Sequence, residues 1–362
     1  MIKKIFFLYS VIFSLSLVSM EKNVEQEAYS SISSPLPFLY STQIKFSDWA
    51  SKIGGVRKVS RKKARLNGLI KNIDKLITEI TPENIQNTDV TLMGFDAKNP
   101  HPTAYLFVHG HGGKGSNANL YHNFYARNTL GYATFDFPEI TKSWSSANLG
   151  QDTDICALYC AYKKLLSIAE SEKISNPCIV LVGLSRGASA ICNFLGFMSM
   201  RRPTELLPIK AAVIESPFAH TEDIIKHVTK IFSLTDISRR CSENIADSVE
   251  SSVENIGKLV IKCTAPSYSP NGIHPIDVIK KILPDIALFF ASSKKDHLIP
   301  YYSTEYLYDA VKGPKDKERA NVDHIILETG WHGGLCEIPE YINAVHKFYE
   351  KNELAYNKYF AQ

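Results

Sequence analysis

The pentapeptide Gly183-Leu184-Ser185-Arg186-Gly187 lies between an apolar run, Cys178 to Val182, and the small residues Ala188 to Ile191, which suit the start of a helix. Gly-x-Ser-x-Gly in that setting predicts a tight strand-to-helix turn that lifts the serine side chain to the carboxyl edge of a sheet. Gly183 and Gly187 are needed there because a side chain would collide with the neighbouring strand and helix. A serine hydroxyl is a poor nucleophile at neutral pH and requires a base within hydrogen-bond reach, itself oriented by an acid. Asp296 follows the apolar run Ile286 to Phe290, and His332 follows His324 to Leu327 in the segment Thr329-Gly330-Trp331-His332-Gly333-Gly334. Both are therefore expected on the rim where Ser185 emerges.

A carbonyl attacked by that serine also needs donors for its developing negative charge, best made of backbone N–H groups. After Ala104 to Val108 comes His109-Gly110-His111-Gly112-Gly113-Lys114-Gly115, whose glycines let backbone approach a carbonyl oxygen. The amides of His111 and Arg186 are the two expected donors. His109 is expected to make structural hydrogen bonds, and His297 to face solvent. Glu215, which ends the preceding apolar run, is the alternative acid, while His324 and His346 are weaker alternatives for the base.

These residues must be positioned by a sheet. Seven short apolar runs rich in Val, Ile, Phe and Tyr are predicted as strands: Val90 to Met93, Ala104 to Val108, Tyr132 to Phe137, Cys178 to Val182, Ala211 to Ile214, Ile286 to Phe290 and His324 to Leu327. They alternate with helical patterns such as Ile155 to Ala169, which describes an α/β fold with a mostly parallel sheet covered on both faces. Leu66, Leu69, Ile70, Ile73, Leu76, Ile77 and Ile80 recur at helical spacing in a helix expected to end near Pro82. About 70 residues separate the runs ending at Ile214 and starting at Ile286, far more than a crossover needs. Residues 217–284 are therefore read as a mainly helical cap insertion with a second stripe of Ile245, Val249, Val253, Ile256 and Val260. The remaining division is 1–19 as a signal peptide, 20–45 as a polar arm, 46–87 as a helical segment, and 88–216 with 285–362 as the two parts of the core.

The chain has 362 residues, 44% hydrophobic and 22% charged, a balance that excludes disordered, collagen-like and coiled-coil chains. A net charge of +4 is well short of the footprint of a nucleic-acid binder. The densest basic run, Arg57, Lys58, Arg61, Lys62, Lys63 and Arg65, offers a contact with anionic lipid headgroups, although such a run is ordinarily a solvated helix face. Lys3 and Lys4 precede an apolar stretch from Ile5 to Val18 that is short for a spanning helix, the layout of a secretory signal; an uncleaved membrane anchor is the alternative. Seven cysteines in an exported chain leave at least one unpaired or paired between chains. Cys241 and Cys263 are the first pair to test, and Cys178 and Cys192 read as small buried hydrophobes. Without Cys-x-x-Cys or regular Cys/His spacing, no structural metal site is expected.

Over residues 88–350 the chain resembles the α/β-hydrolase superfamily in four ordered features: His109-Gly110, Gly183 to Gly187, Asp296 with Leu298-Ile299-Pro300, and His332. The resemblance implies a serine hydrolase with Ser185 as nucleophile, Asp296 as acid and His332 as base, with no cofactor. It is similar to the esterase, lipase and prolyl-oligopeptidase-like branches, so the expected substrate is a small ester or lipid-like molecule. A peptidase or thioesterase with the same triad, and a non-catalytic binding protein on the same fold, are the alternatives. The sequence does not set the oligomeric state.

Overall fold

The computed structural model describes residues 55–93, 103–124, 131–138, 148–235, 255, 257–258, 261–263, 265–314 and 317–354. The expected signal segment, polar arm, Cys241 and the second apolar stripe of the insertion lie outside the described residues. Residues 62–362 form one compact unit.

Seven strands appear where the apolar runs predict them: β1 Val90–Met93, β2 Thr103–Val108, β3 Gly131–Phe135, β4 Cys178–Leu184, β5 Ile209–Glu215, β6 Ala287–Ser293 and β7 Val322–Leu327. They form one sheet in the order β1-β3-β2-β4-β5-β6-β7. Among the described strands only β1 runs antiparallel, against β3. The chain thus winds outward from β2 in both directions, and the fold is the α/β-hydrolase fold, as the resemblance implied. β3 ends two residues earlier than Phe137 because Asp136 turns to accept the Gly115 N–H at 2.6 Å.

Strand side chains alternate between two apolar layers. Leu106, Leu181, Ala212, Ile214, Leu288 and Phe290 face one layer, while Tyr105, Phe107, Val180, Val182, Val213 and Phe289 face the other. The first is covered by helices α1 Gly55–Thr78, α3 Asp152–Ser171, α4 Arg186–Arg201 and α7 Tyr301–Lys312; α2 is the short helix Pro82–Gln86. The second is covered by the 3₁₀ segment Gly115–Phe124 and by α8 Pro339–Lys351. The predicted stripe on α1 buries Ile70, Ile73 and Ile77. Of the basic run, Lys63 is exposed, whereas Arg65 turns toward Asp277 at 3.4 Å instead of facing outward.

The 217–284 segment contributes α5 Thr221–Thr235 and the short α6 Pro275–Val278. Its beginning is fixed by Phe218 N–H to Ser189 Oγ at 3.1 Å and Ala219 N–H to Ser303 Oγ at 2.6 Å. Its return is fixed by the Gln151 amide, which donates to Ser269 O at 2.8 Å and accepts from Ser269 N–H at 2.9 Å. Cys263, one half of the cysteine pair to test first, is an exposed free cysteine, and Cys241 lies outside the described residues. None of the described helices is long and apolar enough to cross a membrane.

The approach to β6, the strand that delivers Asp296, is gathered by one side chain. Arg319 donates to the carbonyls of Ile282, Leu283, Pro284 and Ile286 at 2.7 to 3.2 Å. Arg319→Met leaves these acceptors without their cation, and hydrogen bonds to charged groups contribute about 1.5 to 3 kcal/mol. We expect a loss of about 2 kcal/mol in urea unfolding; an unchanged midpoint would contradict this role.

Candidate active site

Ser185 occupies the turn between β4 and α4 with φ 56° and ψ −115°, a conformation that non-glycine residues rarely adopt. The surroundings hold it there. Its N–H donates to Glu215 O at 2.8 Å, and its carbonyl accepts the first helical bond from Ser189 N–H at 3.0 Å. The flanking glycines are explained by close approach. A Cβ on Gly183 would come within 2.6 Å of Ile191 Cδ1 and 2.8 Å of Ala188 N. On Gly187 it would overlap the Val108 carbonyl oxygen and lie 2.7 Å from His109 O. The start of α4 therefore rests bare on the end of β2.

Asp296, buried after β6, is surrounded by donors. Its Oδ1 accepts the N–H groups of Leu298 and Ile299, both at 2.9 Å. Its Oδ2 accepts Ser216 Oγ–H at 2.9 Å and faces His332 Nδ1 at 2.8 Å. Burial pushes the carboxyl pKa up, but the His332 charge, its hydrogen bond and the two amides outweigh this and hold it below the usual carboxylate range. An ionised carboxylate only accepts, so Nδ1 carries the proton and the lone pair of neutral His332 resides on Nε2.

His332 sits in the loop after β7, where Gly330 and Gly333 take φ values of 109° and 77°. A Cβ on Gly333 would be 3.4 Å from Leu184 Cδ2, so the base loop touches the residue before Ser185. The His332 side chain keeps 14% of its exposure, enough for contact with an incoming molecule. Burial lowers its pKa, yet the Asp296 charge and hydrogen bond, with Glu215 adding, lift it above the ordinary imidazole value. The alternative bases are elsewhere: His324 stacks on Tyr308 at 3.8 Å, and His346 is buried on α8. His297 is exposed, as expected.

Glu215, the alternative acid, has a different environment. Its fully buried carboxylate accepts Tyr121 Oη–H at 2.9 Å. Burial pushes its pKa up to about 7; the tyrosines and His332 oppose the rise, and Asp296 adds to it. Of the two carboxylates, Asp296 is the one hydrogen-bonded to the imidazole.

The glycine-rich loop after β2 lies against the turn at Ser185. A Cβ on Gly110 would be 3.5 Å from Ser185 Cβ, and the loop folds back through Gly113 N–H to Gly110 O at 3.1 Å. His111 follows Gly110, partly exposed. Arg186 opens α4, where backbone N–H groups lack intrahelical acceptors. His109 is held on both sides. Phe137 N–H donates to its Nε2 at 3.0 Å, so Nδ1 is protonated and donates to Gly110 O at 2.8 Å. Three further groups at this rim escaped the sequence reading: Ser216 on Asp296, Asp154 on the Arg186 side chain, and His227 of α5, whose Nε2 is 3.1 Å from Asp296 O. Ser216 carried a readable signal, since it immediately follows a buried strand. Among the described residues no group of three or more His, Cys, Asp or Glu is arranged to hold a metal ion.

No protein-family model matches the chain, and no curated protein matches it. Among solved structures it is similar to a lipase-esterase related protein of Clostridium acetobutylicum, with 17% identity over 73% of this chain and 98% of that one, at a TM-score of 0.41. It is also similar to an esterase of Pyrococcus furiosus, with 16% identity over 75% of this chain and 94% of that one, at 0.44. An acylaminoacyl peptidase of Pyrococcus horikoshii shares 14% identity over 71% of this chain and 38% of that one, at 0.43.

The backbone contact at Gly187 predicts a severe effect from one methyl group. Gly187→Ala forces α4 away from β2, and overpacking of this kind costs about 1 to 3 kcal/mol even where side chains can yield. We expect a loss at or above the upper end of that range in chemical denaturation, with Gly68→Ala, which meets open space, as the harmless control. Equal stability of the two variants would refute the steric account.

Proposed function

We propose that this protein is an exported serine hydrolase that cleaves carboxylic esters of small or lipid-like molecules through an acyl-enzyme. The observation that carries the reading is the 2.8 Å hydrogen bond between His332 Nδ1 and Asp296 Oδ2, at the sheet edge from which Ser185 also projects. In this mechanism Nε2 of His332 takes the Ser185 hydroxyl proton as Oγ attacks the ester carbonyl carbon. Asp296 stabilises the imidazolium that forms, without itself taking the proton. The oxyanion is received by the N–H groups of His111 and Arg186. His332 then returns the proton to the leaving alcohol, and a water activated by the same imidazole hydrolyses the acyl-serine. Export rests on the charged and apolar layout of residues 1–19.

A fluorophosphonate probe is expected to modify Ser185 in the folded protein and to leave Ser185→Ala unmodified, as read by peptide mapping. A folded wild-type sample that stays unlabelled would defeat the assignment. Rates on p-nitrophenyl esters, acyl-thioesters and proline-containing peptides then separate esterase from thioesterase and peptidase, and the ester series is expected to lead.

The pH profile tests the base. Only neutral imidazole accepts the serine proton, so kcat/KM should rise with pH through the pKa of His332 and fall about tenfold per unit below it. Because Asp296 and Glu215 raise that pKa, the midpoint is expected above 6.5. Glu215→Gln removes one of the raising charges and should move the midpoint downward. A midpoint at or below 6.5 in the wild type, or no movement in the variant, would contradict the electrostatic assignment.

A further inference from the structure

The Arg186 side chain is fully buried, an unusual place for a guanidinium. Its Nε donates to Asp154 Oδ2 at 2.7 Å and its Nη2 to Asp154 Oδ1 at 2.6 Å, a bidentate pair in which both side chains have no solvent exposure. The guanidinium lies over the Phe137 ring, 4.2 Å from its centroid. Phe137 also donates its N–H to His109, the first residue of the glycine-rich loop. One side chain therefore touches both the α3 carboxylate and the residue that anchors the loop carrying His111.

Asp154 is in turn fixed. Its Oδ2 accepts Gly150 N–H at 2.7 Å, and Gly150 O accepts Asn193 Nδ2–H of α4 at 2.7 Å. Gly150, at φ 78°, presses so closely on α4 that a Cβ there would be 3.0 Å from Ala190 N. The pair, the turn before α3 and the start of α4 form a closed ring of contacts.

Stability alone gives little reason for this arrangement. Burying two charges costs several kcal/mol per ion, and apolar replacements of such pairs are often neutral or stabilising. What a bidentate pair supplies is direction. Resting on the serine-hydrolase reading above, we infer that the Arg186 side chain and Asp154 are positioning residues that hold the two oxyanion-donating N–H groups, of Arg186 and of the His111 loop, in fixed mutual register. A misplacement of about 1 Å in such a site can cost on the order of a hundredfold in rate.

The test separates positioning from packing. Asp154→Asn, Arg186→Lys and the double variant R186M/D154L are compared with wild type after titrating active sites with fluorophosphonate. We expect kcat per titrated site on a p-nitrophenyl ester to fall about tenfold to a hundredfold with KM changed less than about twofold. The affinity for a trifluoromethyl ketone, whose serine adduct carries the oxyanion, should fall in the same proportion. The double variant, which leaves no buried charge, is expected to keep a midpoint of urea unfolding close to wild type. Wild-type kcat and ketone affinity in the folded double variant would overturn the inference. Should that variant fail to fold, Asp154→Asn or Arg186→Lys with lowered stability and unchanged kcat per site would overturn it equally. Failure of the wild type to label at Ser185 would remove the hydrolase reading and this inference together, whereas labelling with unaltered variants removes the inference alone.

Discussion

Bare backbone touching bare backbone at the head of α4 is the constraint on which the rest depends. Gly187 rests on the Val108 carbonyl and Gly183 on the Ala188 amide. Only at that separation can the chain reverse within one residue and present Ser185 in a backbone region that costs about 1 to 3 kcal/mol to occupy. The cost is met by the surrounding sheet, through the bond from Ser185 N–H to the last carbonyl of β5. Residue 215 thus serves the site twice, with its carbonyl under the serine and its carboxylate among tyrosine hydroxyls.

Two buried carboxylates within one rim take opposite characters because their donors differ. Asp296 receives two backbone amides, a serine hydroxyl and the Nδ1–H of His332, and its proton affinity falls. Glu215 has a neutral phenol for its partner, and burial dominates. Asp296 is thereby kept ionised beside the imidazole of His332. Glu215, by contrast, has its pKa pushed by burial up to about 7.

The sheet was legible in the sequence because its central strands β2, β4, β5 and β6 bury both faces and so read as nearly unbroken apolar runs, with the candidate site residues directly after the runs. Strand ends were less legible. Asp136 leaves β3 to take an amide 21 residues away, an event with no local signature. Charge was the least legible property. Arg65 reads as part of a solvated run yet pairs with Asp277, and the fully buried Arg186 pairs with Asp154, 32 residues upstream. Periodicity reports which side of an element is apolar; it carries no information about which buried ion finds which. The signal available at Arg186 was its setting, an ion between a buried strand and a helix start of small residues.

Gln151 offers its side-chain amide to both backbone groups of Ser269, imitating a single rung of a β-ladder, while Ser189 and Ser303 grip the other foot of the same excursion. With both feet secured by the core, the excursion that begins with α5 is closed at its two ends. Its closure entropy grows only logarithmically, by about 0.6 kcal/mol for each doubling of length. The scaffold therefore acts as a socket: inserts of quite different length and composition can be accommodated between those two feet while the strands and helices beneath keep their shape.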